Sequence, residues 1–300
     1  MRKAKEGAKG MGTIDKSKHA VLLEHVYYGQ GCTNVLKDVS LAIPHGQWVC
    51  IAGRNGAGKS TLIRLLNGLL LMSRGRILID GLEQSGRTLG DIRRHIGMVF
   101  ANPDDQFVGL TVEDDIAFGL ENLCLSREEM QHRIQTYAER LDIVHLLKRH
   151  PATLSGGQKQ RSAIAAVLAM EPSILVLDEA ASMLDEKSKN ELLDSMRAMH
   201  ADGRYTLISI THDVEEMAEA DRLIVLDGGM VTADGSPREL LLREDLLQRC
   251  RLKAPFALQL CRELKERGID IGELVREKEV QEALWLYHSK RYLTATGTGG

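Results

Sequence analysis

The chain has 300 residues, with 39 Lys and Arg against 42 Asp and Glu for a formal charge of −3. That balance excludes a general nucleic-acid binder built on a basic excess, and 43% hydrophobic with 27% charged residues excludes wholesale disorder. Aromatics at 4% are too few for a sugar- or base-stacking surface, while 28 Gly against 6 Pro point to tight turns rather than Pro-rich linkers.

Residues 1–18 form a basic tail (Arg2, Lys3, Lys5, Lys9, Lys16, Lys18) with no apolar stretch behind it, so no secretory leader is expected. This tail and residues 291–300 are expected to be flexible. No run approaches the ~18 apolar residues of a membrane span; Leu69 to Met72 is stopped by Ser73 and Arg74. The cysteines Cys32, Cys50, Cys124, Cys250 and Cys261 lack CxxC or CxH spacing and read as reduced thiols, not metal ligands.

Apolar runs predict strands at Trp48–Ala52, Arg76–Ile79, Gly97–Phe100, Ile174–Leu177, Thr206–Ile210 and Arg222–Leu226. Ile174–Leu177 and Leu207–Ile210 are nearly continuous, the pattern of strands buried on both faces. Helical patterns fall between them at Ser60–Gly68, Arg127–Arg149, Gly157–Met170, Glu186–His200 and Val214–Ala220. This alternation predicts an α/β domain with a largely parallel sheet. Asp227-Gly228-Gly229 reads as a hairpin turn that returns Met230–Ala233 antiparallel at an edge. Beyond Gly235 the pattern is helical, with helices at Pro255–Arg267 and Lys278–His288. A boundary is therefore expected near 235, with a helical appendage over 236–290 whose apolar stripes either pack on the main domain or form a dimer contact.

Gly53-Arg54-Asn55-Gly56-Ala57-Gly58-Lys59-Ser60-Thr61 follows a predicted strand and opens a predicted helix. This is the phosphate-cradling G-x-x-x-x-G-K-S loop in its required context. The glycines let backbone N–H groups turn inward, and the helix N-terminus adds positive potential. Lys59 reaches the β- and γ-phosphates, and Ser60 is placed to ligate Mg²⁺. Asp178, at the tip of a neighbouring strand, suits the Mg²⁺ water shell, and Glu179 suits polarising a water for attack on the γ-phosphate. Ser155-Gly156-Gly157-Gln158 opens a second helix and offers another phosphate-binding N-terminus. One chain cannot easily aim both loops at one γ-phosphate, whereas a head-to-tail pair can.

In this order the motifs resemble the ATP-binding-cassette ATPases, P-loop NTPases with an antiparallel β edge and a helical subdomain. The likeness covers residues 19–235, with that subdomain at about 106–170. The resemblance implies that His212 contacts the γ-phosphate and that Asp185 links the two active sites of a dimer. It also implies that Tyr28 stacks on adenine, with Tyr27 as the alternative. Val99 to Gly109, Thr111 to Glu121, Ala254 to Leu260 and Arg267 to Ile271 further resemble the ATPases of energy-coupling-factor transporters. That family implies ATP and Mg²⁺ as cofactors, a second ATPase subunit (identical or a sister chain), a polytopic membrane coupling subunit and a substrate-binding membrane subunit. It also implies a peripheral position on the cytoplasmic face of the cell membrane, and import of vitamins or transition-metal ions.

One position departs from the family pattern. Where relatives carry Gln as a Mg²⁺ ligand after Val-Phe, this chain has Ala101, and Gln106 is not an obvious replacement. Weaker Mg²⁺ coupling with hydrolysis retained is the expectation. The rival readings are a cassette acting on DNA or ribosomes, which needs a basic face, a coiled coil or a second cassette, and a catalytically weak regulatory cassette.

Overall fold

The computed structural model describes residues 18–30 and 33–296, and side chains over 18–29 and 34–289. The chain opens with two long antiparallel strands, β1 His19–Gln30 and β2 Thr33–Pro44, then enters the centre of the molecule through β3 Trp48–Gly53 and helix α1 Lys59–Leu66. β4 Arg74–Ile79, β5 Leu82–Glu83, α2 Leu89–His95 and β6 Ile96–Val99 follow, then the helices α3 Val112–Glu121, α4 Arg127–Arg140 and α5 Gly156–Ala169. The second half alternates β7 Ile174–Asp178, α6 Glu186–Ala201, β8 Thr206–Ile210, α7 Val214–Glu219, β9 Arg222–Asp227 and β10 Met230–Gly235. Helices α8 Pro237–Leu241, α9 Glu244–Cys250, α10 Phe256–Glu266 and α11 Glu277–Thr296 close the chain.

The strands form two sheets, ordered β10-β9-β3-β8-β7-β6 and β2-β1-β4-β5. In the first, β9, β3, β8, β7 and β6 pair in parallel and β10 returns antiparallel on β9. Its side chains alternate between two cores. Val49, Ile51, Val176, Ile208 and Ile224 face α1 and the antiparallel sheet, whereas Trp48, Cys50, Leu175, Leu177 and Val225 face the helices α3 to α9. Burial on both faces is why these strands carry unbroken apolar runs.

The structure departs from the expected elements at several points. Arg76–Ile79 is a strand, but β4 pairs antiparallel with β1 in the second sheet. β1 and β2 were not among the expected strands, because bulges at His25 (φ 50°) and Asp38 (φ 55°) break the two-residue alternation. The helix expected over Arg127–Arg149 ends at Arg140. There Asp142 turns left-handed (φ 52°) and the Ile143 N–H donates to Ala138 O at 2.8 Å, a tight C-terminal closure.

All regular structure after Gly235 among the described residues is helical. α8 and α9 place Leu240, Leu241, Leu246, Leu247 and Cys250 in the core beneath the parallel sheet. A small separate cluster forms from Ala257, Cys261 and Val280. This C-terminal unit is tied to α7 at two points. Phe256 N–H donates to the Glu215 carboxylate at 2.8 Å, and Arg276 Nε donates to Ala218 O at 2.7 Å. α11 runs to Thr296, so the tail expected to be flexible from 291 is helical to that residue. Residues 1–17 and 297–300, and Cys32, lie outside the described residues.

Candidate functional site

Parallel strands β3, β7 and β8 end together, and the loops leaving their C-terminal ends gather the chemistry-bearing side chains. After β3, Gly53 takes φ 146° with its Cα against β9, where a Cβ would stand 2.2 Å from Leu226 O. The loop closes through Ala57 N–H to Arg54 O at 3.0 Å. Gly58 caps α1 in the left-handed region at φ 104°, where a Cβ would meet Leu36 Cδ2 at 2.6 Å. Two positions of this loop therefore accept only glycine.

Lys59 is 6% exposed. Its ammonium donates to Gly53 O at 2.7 Å and Arg54 O at 3.3 Å, and lies 3.2 Å from His212 Nε2. Burial lowers its pKa, against the opposing pull of Glu179 and Asp178. The Ser60 hydroxyl hydrogen-bonds the Asp178 carboxyl, whose pKa burial and Glu179 raise while Arg64, Lys59 and Ser60 pull it down. Glu179 leaves β7 with φ 53° and donates its N–H to Ile210 O of β8 at 2.9 Å. Its Oε1 stands 3.3 Å from His212 Nε2. A non-glycine residue held left-handed beside Lys59, Asp178 and His212 marks a place where structure overrides local preference.

The His212 turn is fixed from both sides. Thr211 Oγ1 accepts from Asp213 N–H at 3.0 Å, and Asp213 Oδ1 caps α7 by accepting from Glu215 N–H at 2.9 Å. Beside it opens a cavity of about 470 Å³ lined by Glu179, Ser182, Lys189, His212 and, from beyond α9, Arg251 and Lys253.

Ser155 and Gln158 form a capping box at the start of α5: Gln158 N–H donates to Ser155 Oγ at 3.4 Å, and Ser155 N–H to Gln158 Oε1 at 3.1 Å. Ser155 and Gly156 are exposed, and none of residues 155–158 lines the Glu179–His212 cavity. Gly157 instead packs on the start of α6, where a Cβ would stand 2.4 Å from Ser188 Oγ. Asp185 caps that helix, accepting from Ser188 N–H at 2.8 Å, and this bonding lowers its pKa. Asn55 and Gly56 lie exposed at the loop tip, and Thr61 is half-buried. Tyr28 is half-buried against the core that includes Leu36, its partner across the β1–β2 pair, and Leu36 is the residue that Gly58 abuts. Tyr27 is paired with Arg74 on β4.

Residues 36–182 match the family model for ABC transporters. Over 273 residues the chain is 46% identical to an energy-coupling factor transporter ATP-binding protein, EcfA1, of Halalkalibacterium halodurans, covering 90% of this chain and 98% of the relative. This chain is an energy-coupling factor transporter ATP-binding protein of the ABC family. It is also 49% identical over 251 residues to the EcfA1 protein of Streptococcus pneumoniae, 83% of this chain and 91% of that one. Among solved structures, cbiO1 from Clostridium perfringens, part of the ABC transporter complex cbiONQ, superposes with a TM-score of 0.73 at 33% identity, over 84% of this chain and all of that one. A bacterial Atm1-family ABC exporter with ATP bound gives 0.68 at 31% identity, over 78% of this chain and 42% of the exporter. As a member of this family the chain binds and hydrolyses ATP to drive transport and associates with membrane subunits. No described helix is long and apolar enough to cross a membrane itself.

At position 101 this energy-coupling factor ATPase presents a methyl group after β6. Gln106 is committed elsewhere, its Oε1 accepting from Phe100 N–H and its Nε2 donating to Ala163 O, both at 3.4 Å. The sequence reading did not single out Gln160, a buried side chain of α5 whose Nε2 donates to Phe100 O at 3.4 Å while its Oε1 has no partner. Nor did it single out Lys159, paired with Asp104 at 2.6 Å, or Arg251 and Lys253. Lys159 and Gln160 belong to the Leu154–Arg161 signature segment, but their contacts with Asp104 and Phe100 come only from the fold, and Arg251 and Lys253 carry no motif at all.

Proposed function

We propose that this chain is one of two ATPase subunits whose head-to-tail pairing closes ATP between the Lys59 loop of one and the Ser155 loop of the other. The supporting observation is the split between the two phosphate-binding loops. Lys59, Ser60, Asp178, Glu179 and His212 converge, whereas Ser155 and Gly156 are exposed, Gly157 packs on Ser188 of α6, and none of residues 155–158 lines the Glu179–His212 cavity. In this reading the Gly53–Thr61 loop cradles the phosphates, with Asn55, Gly56, Gly58 and Thr61 in its backbone and rim, and Tyr28 stacks on adenine. Asp185, at the cap of α6 beside Gly157, carries the contact between the two sites.

The Ser60 hydroxyl and Asp178 carboxyl, already hydrogen-bonded to one another, form an oxygen pair suited to a hard cation such as Mg²⁺. When bound, Mg²⁺ neutralises charge on the phosphates. Glu179 takes a proton from the attacking water, His212 orients the γ-phosphate, and Lys59 offsets the charge that develops on it. ATP closes the pair because both halves grip the γ-phosphate, and hydrolysis removes that link.

The partners in this reading are a second cassette, a polytopic coupling subunit and a membrane subunit that selects the solute, a vitamin or a transition-metal ion, with the chain on the cytoplasmic face. Beyond β6, Val108, Leu110 and Phe118 are 67%, 75% and 53% exposed, an apolar patch suited to a membrane partner. The domain division we propose is a cassette over 19–235, with a helical subdomain of about 106–170 and a C-terminal helical unit over 236–290. Its first two helices serve the cassette core. The test is Glu179→Gln in the assembled complex, which should accumulate ATP-closed pairs while hydrolysis falls about 10²–10⁴-fold. Near-normal turnover would remove Glu179 from its role.

A further inference from the structure

The segment between α9 and α10 passes the hydrolytic cavity, and its conformation is held rather than loose. Arg251 sits in the left-handed region at φ 57°, a backbone state that a non-glycine residue keeps only where its surroundings fix it. Its N–H donates to Gln248 O at 3.1 Å, the next N–H donates from Leu252 to Leu247 O at 2.8 Å, and the Leu252 side chain packs on the core. One residue earlier, Cys250 is buried within electrostatic reach of Lys59 and Arg54. The anchored Leu252 thus presents an exposed cation on either side, Arg251 and Lys253, and both line the cavity of about 470 Å³ that Glu179, Thr211 and His212 also line.

The charges in this cavity are unevenly committed. Lys189 faces Asp213 at 3.9 Å, and Glu179 faces His212 at 3.3 Å. Arg251 and Lys253 make no ion pair among the described residues. Two cations with no ion-pair partner beside a hydrolytic carboxylate call for a small anion, and hydrolysis next to Glu179 releases one on every turnover.

We propose that Arg251 and Lys253 form an exit subsite for the inorganic phosphate cleaved from ATP, a reading that rests on the hydrolytic placement of Glu179 and His212. The water oxygen bonds to the γ-phosphorus as the bond to the β–γ bridging oxygen breaks, its electron pair staying on the ADP oxygen. The proton that Glu179 took from the water then passes to solvent, and the restored Glu179 carboxylate repels the free hydrogen phosphate dianion. Arg251 offers it a fork of N–H donors matched to two phosphate oxygens, and Lys253 offers a mobile point charge. Both heads are exposed, unlike buried Lys59, so the ion passes from a dry grip to a wet one and then to solvent. The same phosphate chemistry is present on the γ-position of uncleaved ATP, and the experiment separates the two sources.

In the complete transporter complex, this chain carrying R251Q/K253Q is assayed for inhibition of ATP hydrolysis by added inorganic phosphate and, in parallel, for the KM of ATP. The phosphate concentration giving half-inhibition is expected to rise roughly tenfold, the size of one or two lost charge-assisted contacts. The KM for ATP should move less than about twofold, and R251K/K253R should restore the original phosphate response. The single exposed substitution Lys253→Gln should shift half-inhibition in the same direction. An unchanged phosphate response in a hydrolysing R251Q/K253Q complex overturns the exit subsite. So does a KM for ATP that rises in step, because the two cations then hold ATP itself. Near-normal turnover in Glu179→Gln instead removes the hydrolytic assignment, so the two readings fail separately.

Discussion

The ammonium of Lys59 stands 3.2 Å from Nε2 of His212, and the same nitrogen stands 3.3 Å from Oε1 of Glu179. Nε2 can accept from Lys59 or, carrying the proton, donate to Glu179, but it cannot do both. His212 is therefore a joint between the phosphate-gripping lysine and the carboxylate that activates water, and ATP entering the loop would settle which bond survives. His212→Ala removes this joint while leaving the glycine loop in place. Steady-state hydrolysis should fall about 10²–10³-fold, with a much smaller change in ATP affinity. Equal losses in affinity and turnover would assign His212 to binding alone.

Gly58 and Gly56 both have positive φ, at 104° and 81°, but differ in the space around them. A Cβ on Gly58 meets Leu36 Cδ2 at 2.6 Å, and a Cβ on Gly56 meets nothing within 4 Å. Gly58→Ala adds a clash with a fully buried leucine to the backbone strain, whereas Gly56→Ala adds the strain alone. ATP affinity, read by titration with a fluorescent nucleotide, should fall about tenfold or more for Gly58→Ala and only a few-fold for Gly56→Ala. A reversed order would show that Leu36 yields freely.

The contrast between those glycines also shows what the sequence conveys. The G-x-x-x-x-G-K-S spacing marks the loop, and continuous apolar runs mark β7 and β8 because both their faces are buried. β1 and β2 escape the same reading because His25 and Asp38 adopt positive φ and bond each other at 2.7 Å across the pair. That bulge throws the apolar side chains out of step. The end of α4 escapes it because Asp142 looks like one more polar helical residue until its backbone turns left-handed. Arg251 and Lys253 escape it for another reason: they approach Glu179 and His212 only after the whole chain is folded.

At Ala101 no oxygen is available to a metal, and Gln106 is already bonded at both ends of its amide, to Phe100 N–H and Ala163 O. Restoring a carboxamide by Ala101→Gln should therefore lower the Mg²⁺ concentration giving half-maximal hydrolysis in the assembled complex, by roughly three- to tenfold. That is the gain expected from one added ligand contact. Stimulation of hydrolysis by the membrane subunits should rise with it. Unchanged activity and unchanged Mg²⁺ dependence would sink the idea that this position weakens coupling.

Glu216 on α7 is a buried acid that no catalytic step uses. Burial pushes its pKa from 4.5 up to about 7, with Asp213 adding to the rise and hydrogen bonds from Ser209 and Thr211 opposing it. Below pH 4.5 the folded and unfolded chains both hold this proton. Between 4.5 and about 7 the unfolded chain releases it while the folded chain keeps it, so stability falls as pH rises through that window and levels off above it. The contribution lost by pH 8 is on the order of 3 kcal/mol. Glu216→Gln keeps a side chain able to bond Ser209 and Thr211 but has no proton to release. The variant should therefore melt close to the parent at pH 5 and about 5 °C higher at pH 8. Thermal unfolding followed across pH 5 to 8 reads this directly, and parallel curves for the two proteins would show that Glu216 is not the group that titrates.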